Sequence, residues 1–157
     1  MGSLTPKIKI KIQNEDFDIS QEAKILQQNN TGAIVNFIGV VRDYNEKNNE
    51  IVKSMTLEHY PGMTESEIEK IIIDCSQKWH LTGITVIHRI GNLKPTDKIV
   101  YVGVSSKHRQ NAFDGCNFIM DWLKTKAPFW KVEKNNNKKN WVSFNESDNE
   151  ALKKWEK

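Results

Sequence analysis

Residues 105–131 read SSKHRQNAFDGCNFIMDWLKTKAPFWK, and the rest of the chain is organised around this stretch. Apolar residues recur in it at helical spacing, which predicts a helix over residues 109–125 with one core-facing side. That side is predicted to carry Ala112, Phe113, Cys116, Ile119, Met120 and Leu123. Gly115 costs a helix about 1 kcal/mol relative to alanine, so we expect a close backbone approach there. Pro128 ends the helix, because the residue before a proline is disfavoured in helical geometry.

Cationic side chains lie at both ends of this predicted helix. The first cluster is Lys107, His108 and Arg109, and the second is Lys124, Lys126 and Lys131. Free N–H groups in the first turn of a helix already favour an anion, so the pattern predicts an anion site. The two ends are roughly 23 Å apart at 1.5 Å per residue. One small ligand cannot reach both, so we expect either two sites or one site shared between two copies of the chain.

Structural explanations compete with a functional one for several of these residues. Lysines near the C-terminus of a helix complement its dipole, which accounts for Lys124 or Lys126 taken alone. The sequence KTKAPFWK favours a site, because its proline and two aromatic residues fix the backbone and exclude solvent around the lysines. His59 and His88 end or lie within predicted strands, and we interpret both as structural.

The remaining segments alternate between short strands and helices. Strands are predicted over residues 7–12, 33–41, 51–60, 84–90, 99–105, 129–134 and 141–144, and further helices over 20–28, 65–79 and 148–155. Residues 84–90 and 99–105 are predicted to form an antiparallel hairpin. The apolar run 33–41 predicts a central strand covered on both faces, and the polar run 43–49 a mobile loop. This order is typical of an α+β fold with a mostly antiparallel sheet and helices packed on one side.

Length and composition indicate an ordinary soluble domain. The 157 residues, with 38% apolar and 27% charged residues, predict one domain over residues 1–157, flexible at 1–6 and 135–140. No apolar run is long enough to span a membrane, and no secretory signal precedes the domain. Cys75 and Cys116 lie far apart among apolar residues, which favours buried free thiols and a reducing cytosol.

The sequence contains no motif for a metal or a cofactor. Its four histidines lack ligand spacing, and it has no phosphate-binding loop and no dinucleotide fingerprint, so we expect neither metal nor cofactor. The net charge of +3 is too small to indicate nucleic acid by itself, although residues 124–139 hold six lysines and one acid. A non-enzymatic RNA- or phosphate-binding module therefore remains an alternative, with Phe129, Trp130 and Trp141 as stacking partners.

Several sequence blocks together resemble the large, catalytic subunit family of molybdopterin synthase. They are TGAIVNFIGVVRDYN, LEHYPGMTE, VIHRIGNLKPTD, VGVSSKHRQNAF, FIMDWLKTKAPFWKVE and the closing W-V-x-x-x-E-S-D. They span residues 32–148 in the order of the family, and SSKHR and KTKAPFWK are the most specific among them.

The resemblance implies an α/β hammerhead-type fold and a homodimer at the centre of a heterotetramer. A small ubiquitin-like sulfur-carrier subunit is implied at each end, with its C-terminal Gly-Gly thiocarboxylate inserted into the large subunit. The implied reaction transfers two sulfurs to cyclic pyranopterin monophosphate and forms the dithiolene of molybdopterin. The implied setting is the cytosol, without nucleic acid or membrane.

The matching motifs also imply roles for individual residues. Lys124 and Lys131 take the positions of the catalytic lysines. The implied substrate-binding residues are Arg42, His108, Arg109, Lys124, Lys126 and Lys131. From the length of the helix we expect a composite site, in which Arg42, His108 and Arg109 of one copy face the two catalytic lysines of another copy.

Overall fold

The computed structural model describes residues 5–47, 49–135, 138–141 and 146–155. The strands in chain order are β1 (Lys7–Gln13), β2 (Ala33–Val40), β3 (Tyr44–Asn45), β4 (Glu50–Ile51), β5 (Ser54–His59), β6 (Gly83–Arg89), β7 (Gly91–Leu93), β8 (Lys98–Ser106), β9 (Phe129–Asn135) and β10 (Lys138–Trp141). The helices are α1 (Ile19–Leu26), α2 (Met63–Lys78), α3 (Arg109–Lys126) and α4 (Glu146–Lys153). Within these ranges, no helix combines the length and the apolar character that a membrane crossing requires.

The strands form two four-stranded sheets and a small hairpin of β3 with β4. The first sheet has the order β1-β6-β8-β2, and the second has the order β10-β9-β5-β7. β1 runs parallel to β6, and the other described pairs are antiparallel. β6 and β8 pair from Gly83 with Ser105 to His88 with Val100, which confirms the predicted hairpin. The predicted α+β class with mostly antiparallel strands is confirmed as well.

Helix α3 packs on the first sheet closely at Gly115. A Cβ atom added at Gly115 would lie 3.2 Å from Val104 Cγ1, so the close contact there is with side chains and not with the expected backbone. One residue further along the helix, Cys116 Sγ lies 3.8 Å from the carbonyl oxygen of Val102. Residue numbers thus rise along the helix while they fall along β8, so α3 runs antiparallel to β8. Since β2 pairs antiparallel with β8, α3 runs parallel to β2.

Both faces of the first sheet are covered by helices. Helices α2 and α3 lie on one face, as predicted, and share a core cluster that includes Ile68, Ile72, Val86, Val102, Val104 and Ile119. Each fully buried aliphatic side chain of this kind contributes about 1.5–3 kcal/mol. α1 covers the opposite face, where Leu26 fills the space beside Gly83 and Gly103.

The predicted central position of β2 is wrong, because β2 is an edge strand. It pairs with β8 on one side, and no strand within the described ranges pairs with its other side. Phe37 and Val40 are accordingly 37% and 46% exposed. An apolar run indicates that side chains are buried, but it does not indicate how many neighbouring strands supply hydrogen bonds.

The predicted inward orientation of Phe113 is also wrong, since this side chain is 58% exposed. Ala112, Cys116 and Ile119 follow the expected helical spacing and are buried. Phe113 lies one residue, or about 100°, away from Ala112 around the helix, which moves it off the core-facing stripe. Phe118 takes part in the core instead.

Two segments that we predicted to be mobile contain paired strands. Residues 43–49 hold β3 of the small hairpin, and residues 135–140 hold the end of β9 and most of β10. Asparagine-rich sequence is common in loops, but here the described residues on either side of 48 and of 136–137 pair as strands. Residues 1–4, 48, 136–137 and 142–144, on which parts of the flexible-segment and last-strand predictions fall, lie outside the described residues.

Acidic side chains make the N-terminal hydrogen bonds of two helices. Asp18 caps α1 by accepting the N–H of Gln21 at 3.1 Å. At α2 the carboxylate of Glu65 accepts the N–H of Gly62 at 3.1 Å. Thr64 therefore lies inside the first turn of α2 and is not its cap.

Candidate active site

Helix α3 separates the two predicted basic clusters. His108 precedes the helix in extended geometry, and no acidic residue lies in its first turn. Lys107, His108 and Arg109 are all exposed at this end. Free N–H groups and exposed cations together make this end attractive to an anion.

An open cavity of about 370 Å³ lies beside this end of α3. Lys107, His108 and Asn111 line it on the helix side, and His80 and Thr82 line it on the side of the α2–β6 connection. Its walls therefore offer imidazole, amide, hydroxyl and ammonium groups to a polar ligand.

At the opposite end of α3, Lys124 is exposed and forms no ion pair within the described part of the chain. The nearest acid along the helix is Asp121. Its carboxylate accepts the Trp155 indole N–H at 2.6 Å and lies 3.3 Å from Lys154 Nζ. Asp121 is thereby directed toward α4, which leaves the charge of Lys124 available for an anionic ligand.

The structure separates Lys126 from Lys124. Residues two apart on a helix project to different sides. Lys126 Nζ lies over the Trp122 ring, 5.9 Å from its centroid. Its predicted role in substrate binding stays a prediction, and its geometry is less favourable than that of Lys124.

A sharp bend connects α3 to β9 and brings Lys131 into the second sheet. Ala127 is extended, with φ −74° and ψ 123°, and Phe129 N–H donates to the Ala127 carbonyl oxygen at 2.9 Å. Lys131 then lies on β9 opposite Leu57 of β5 and is half-buried. The two predicted catalytic lysines thus lie on either side of one short bend.

Two histidines that we interpreted as structural lie beside this bend. His88 stacks on Phe129 with ring centroids 3.7 Å apart, and His59 pairs with Phe129 across β5 and β9. Burial, the largest cause, together with the positive charges of Lys131 and His59, lowers the pKa of His88 to about 3. Its Nδ1 lies 2.8 Å from the Arg89 carbonyl oxygen and must therefore donate to it. His88 is buried and neutral, as a structural residue should be, and its stack on Phe129 also supports the strand that carries Lys131.

Sequence reasoning missed a further contact near Lys131. Glu133 follows two residues later on β9, is 6% exposed, and accepts the amide of Asn45 at 3.1 Å. This contact holds the β3–β4 hairpin against β9. Asn45 and Glu133 are 88 residues apart in the chain, so no local pattern connects them.

Arg42 and His108 lie at opposite ends of β2. Ala33, at the start of the strand, pairs with Ser106, and Val40, at its end, pairs with Lys98. Seven residues of strand at about 3.3 Å each place these ends about 23 Å apart. Since α3 runs parallel to β2, Arg42 lies at the Lys124 end of the helix. This differs from the expected grouping of Arg42 with His108 and Arg109.

The described residues contain no group of three or more histidine, cysteine or acidic side chains that could hold a metal ion. Cys75 and Cys116 are both buried. Burial raises the pKa of each thiol to about 12, so neither is suited to act as a nucleophile.

The family model described as "MoaE protein" matches residues 12–126 of the chain. The "Molybdopterin synthase catalytic subunit" of Pseudomonas aeruginosa is 48% identical over 149 residues, covering 94% of this chain and 98% of the relative. The protein of that name from Escherichia coli is 46% identical over 148 residues, covering 94% and 97%.

Solved structures agree with this assignment. A molybdopterin biosynthesis MoaE protein from Burkholderia ambifaria superposes with a TM-score of 0.80 at 41% identity, covering 94% of this chain and 97% of that one. A molybdopterin synthase structure from Staphylococcus aureus gives a TM-score of 0.76 at 26% identity, covering 91% and 99%.

Fold and relatives together define the catalytic subunit of a biosynthetic enzyme. The chain belongs to the MoaE family, and its function is that of the family, the catalytic subunit of molybdopterin synthase. The alternative of a non-enzymatic RNA-binding module has no support from these relatives.

Proposed function

We propose that this chain catalyses sulfur transfer from the C-terminal thiocarboxylate of a small ubiquitin-like carrier to cyclic pyranopterin monophosphate. The product is the dithiolene of molybdopterin. The observation that carries the assignment of residues is the position of Lys124, exposed and without an ion pair in the described part of the chain, beside the bend that leads to Lys131.

The charges of the reactants explain why such a site is basic. The substrate is a phosphate ester and the sulfur donor is an anionic thiocarboxylate. At 4 Å and an effective dielectric constant near 20, two unit charges repel each other by about 4 kcal/mol. Fixed cations remove this repulsion and stabilise the charge that develops at the reacting carbon.

Each predicted residue has a role in this scheme. Lys124 lies at the terminus of the carrier tail as an acid–base catalyst or charge stabiliser, and Lys131 assists it. Arg42, His108 and Arg109 hold the phosphate or the pterin, and Lys126 adds positive charge at the margin. All of these side chains except Lys131 are exposed, so a ligand can approach them.

The active site is composite, and a second copy of the chain completes it. The unpaired edge of β2 and its exposed Phe37 and Val40 favour pairing with the same edge of another copy. In a two-fold antiparallel pairing, the start of one β2 lies beside the end of the other. The partner subunit's His108 and Arg109 then approach Arg42 and Lys124 of this chain. Arg42 thereby joins the lysines of its own chain.

The assembly follows from the same arrangement. A homodimer formed through β2 presents two identical sites, and one small carrier subunit binds at each to form a heterotetramer. The S. aureus structure, whose chain has a similar fold, bears the name molybdopterin synthase. We place the reaction in the cytosol, where the buried free thiols Cys75 and Cys116 remain reduced.

Replacing Lys124 tests the proposal. With a carrier that already bears its thiocarboxylate, Lys124→Ala should lower molybdopterin formation by about a hundredfold or more, as expected for loss of an acid–base group. Lys24→Ala is the matched control, because Lys24 is also an exposed lysine in the last turn of a helix. Near-normal turnover by Lys124→Ala would remove Lys124 from the mechanism.

A further inference from the structure

The bend between α3 and β9 determines how the two proposed catalytic lysines are placed relative to each other. Lys124 is in the last turn of α3, and Lys131 is the third residue of β9. Residues 127–128 carry the whole change of direction between them. A small rotation of the backbone there would therefore move one lysine relative to the other.

Thr64 holds this bend from outside the segment. Its side chain is fully buried, and its hydroxyl donates to the carbonyl oxygen of Pro128 at 2.8 Å. The same hydroxyl accepts the backbone N–H of Tyr60 at 3.0 Å. One oxygen atom thus connects the end of β5, the first turn of α2 and the bend.

The orientation of this hydroxyl is not explained by helix capping. A threonine at the start of a helix usually accepts an N–H of its own first turn. In α2 the Glu65 carboxylate accepts the N–H of Gly62. The N–H of Thr64 itself donates to the Tyr60 carbonyl oxygen at 2.9 Å. The Thr64 hydroxyl is therefore left to bind the Pro128 carbonyl.

We propose that Thr64 is a positioning residue that sets the placement of Lys124 relative to Lys131 through the Pro128 carbonyl. This inference rests on the proposed function, which assigns the two lysines to catalysis. Thr64 is fully buried and cannot contact a reactant, so its effect should fall on the chemical step. The stack of His88 on Phe129 supports the adjacent residue and leaves the Pro128 carbonyl to Thr64.

Two substitutions at Thr64 separate its hydroxyl from its bulk. Thr64→Val keeps the shape and removes the hydroxyl, whereas Thr64→Ser keeps the hydroxyl. Thr85→Val is the control, because Thr85 is 2% exposed and lies on β6, away from the bend. We expect Thr64→Val to lower kcat at least about tenfold, since a misplacement of about 1 Å can cost a hundredfold. KM should stay within about twofold, and Thr64→Ser should remain within about threefold of wild type in kcat.

Hydrogen exchange gives a second readout that does not depend on activity. Thr64→Val should accelerate exchange of the amides of residues 129–131, whereas Thr64→Ser and Thr85→Val should not. If wild type makes no molybdopterin, the proposed function fails, and the exchange data alone decide whether Thr64 holds the bend.

Three results would overturn the inference. One is an unchanged kcat in Thr64→Val, and another is a Thr64→Ser variant as impaired as Thr64→Val. The third is a loss of activity that only matches the fraction of unfolded protein measured by circular dichroism. Should Thr64→Val not fold, Thr64→Ala takes its place with the same criteria, because a water beside the smaller side chain can satisfy the Pro128 carbonyl without fixing its position.

Discussion

The rings of His88 and Phe129 lie face to face, with centroids 3.7 Å apart and an interplanar angle of 15°. Phe129 begins β9, so a neutral, buried imidazole supports the strand that carries Lys131. Burial, the largest cause, together with the nearby positive charges of Lys131 and His59, lowers the pKa of His88 from 6.5 to about 3. The protonation state of His88 therefore couples to folding.

Stability should fall as the pH is lowered from 6.5 toward 3. In that window an unfolded chain protonates His88 and the folded chain does not, so protons favour the unfolded state. This one group can contribute a slope of up to about 1.4 kcal/mol per pH unit. Urea unfolding between pH 4.5 and 7 measures it. His88→Phe keeps a ring against Phe129 without titrating and should remove this part of the slope; an unchanged slope would contradict the assignment.

Both cysteines should be inert in the folded protein. Cys75 is fully buried and Cys116 is 5% exposed, and burial raises the pKa of each thiol to about 12. A disulfide reagent at pH 8 should label neither thiol in buffer and both in urea. Gln77→Cys, at an exposed position of α2, should add one thiol that reacts in the native state. Native labelling of the wild type would show that the core around α3 opens.

Gly32 should tolerate substitution less well than Gly115. A Cβ at Gly32 would clash with the backbone oxygen of Lys107, which cannot move independently of the start of α3. We expect Gly32→Ala to destabilise the fold by about 1–3 kcal/mol. At Gly115 the nearest atoms belong to side chains at 3.2 Å or more, and alanine gains about 1 kcal/mol of helix propensity. Chemical unfolding of both variants gives the order, and the reverse order would contradict this explanation.

Helix α3 and the hairpin of β6 with β8 could be predicted from sequence because their signals are local. Helical spacing placed Ala112, Cys116 and Ile119 inside, and Pro128 ended the helix as expected. The edge position of β2 could not be predicted, because an apolar edge strand and an apolar central strand have the same kind of sequence. The sequence does not show how many neighbouring strands pair with β2. Phe113 was misplaced because it lies next to the core-facing stripe.

The candidate site likewise has a part that the sequence predicted and a part that needed the structure. Motifs identified the charged residues, and helix length showed that they cannot form one cluster within a chain. The contacts of Thr64, His88 and Glu133 around the segment that carries Lys131 were not predicted, although His88 was interpreted as structural. Each acts through a partner far away in sequence, such as Pro128, which is 64 residues from Thr64. The register of β2 with β8 was likewise needed to show that Arg42 lies at the end of α3 that carries Lys124.

Complementation between variants tests the composite site most directly. Lys124→Ala and Arg109→Ala should each be inactive as homodimers. In a mixed dimer, one site combines the intact Lys124 of one chain with the intact Arg109 of the other. Random exchange makes about half of the dimers mixed, and each mixed dimer has one working site of its two. About a quarter of all sites are then intact, so turnover should recover to about a quarter of wild type.

The matched control mixes Lys124→Ala with Arg42→Ala. Both residues lie at the same end of β2 and α3, so no mixed site is intact, and turnover should not recover. The decisive measurement is molybdopterin formation by the two mixtures after chain exchange, at equal protein concentration. Recovery only in the mixture with Arg109→Ala is the predicted result. No recovery there, or equal recovery in both mixtures, would contradict the shared site.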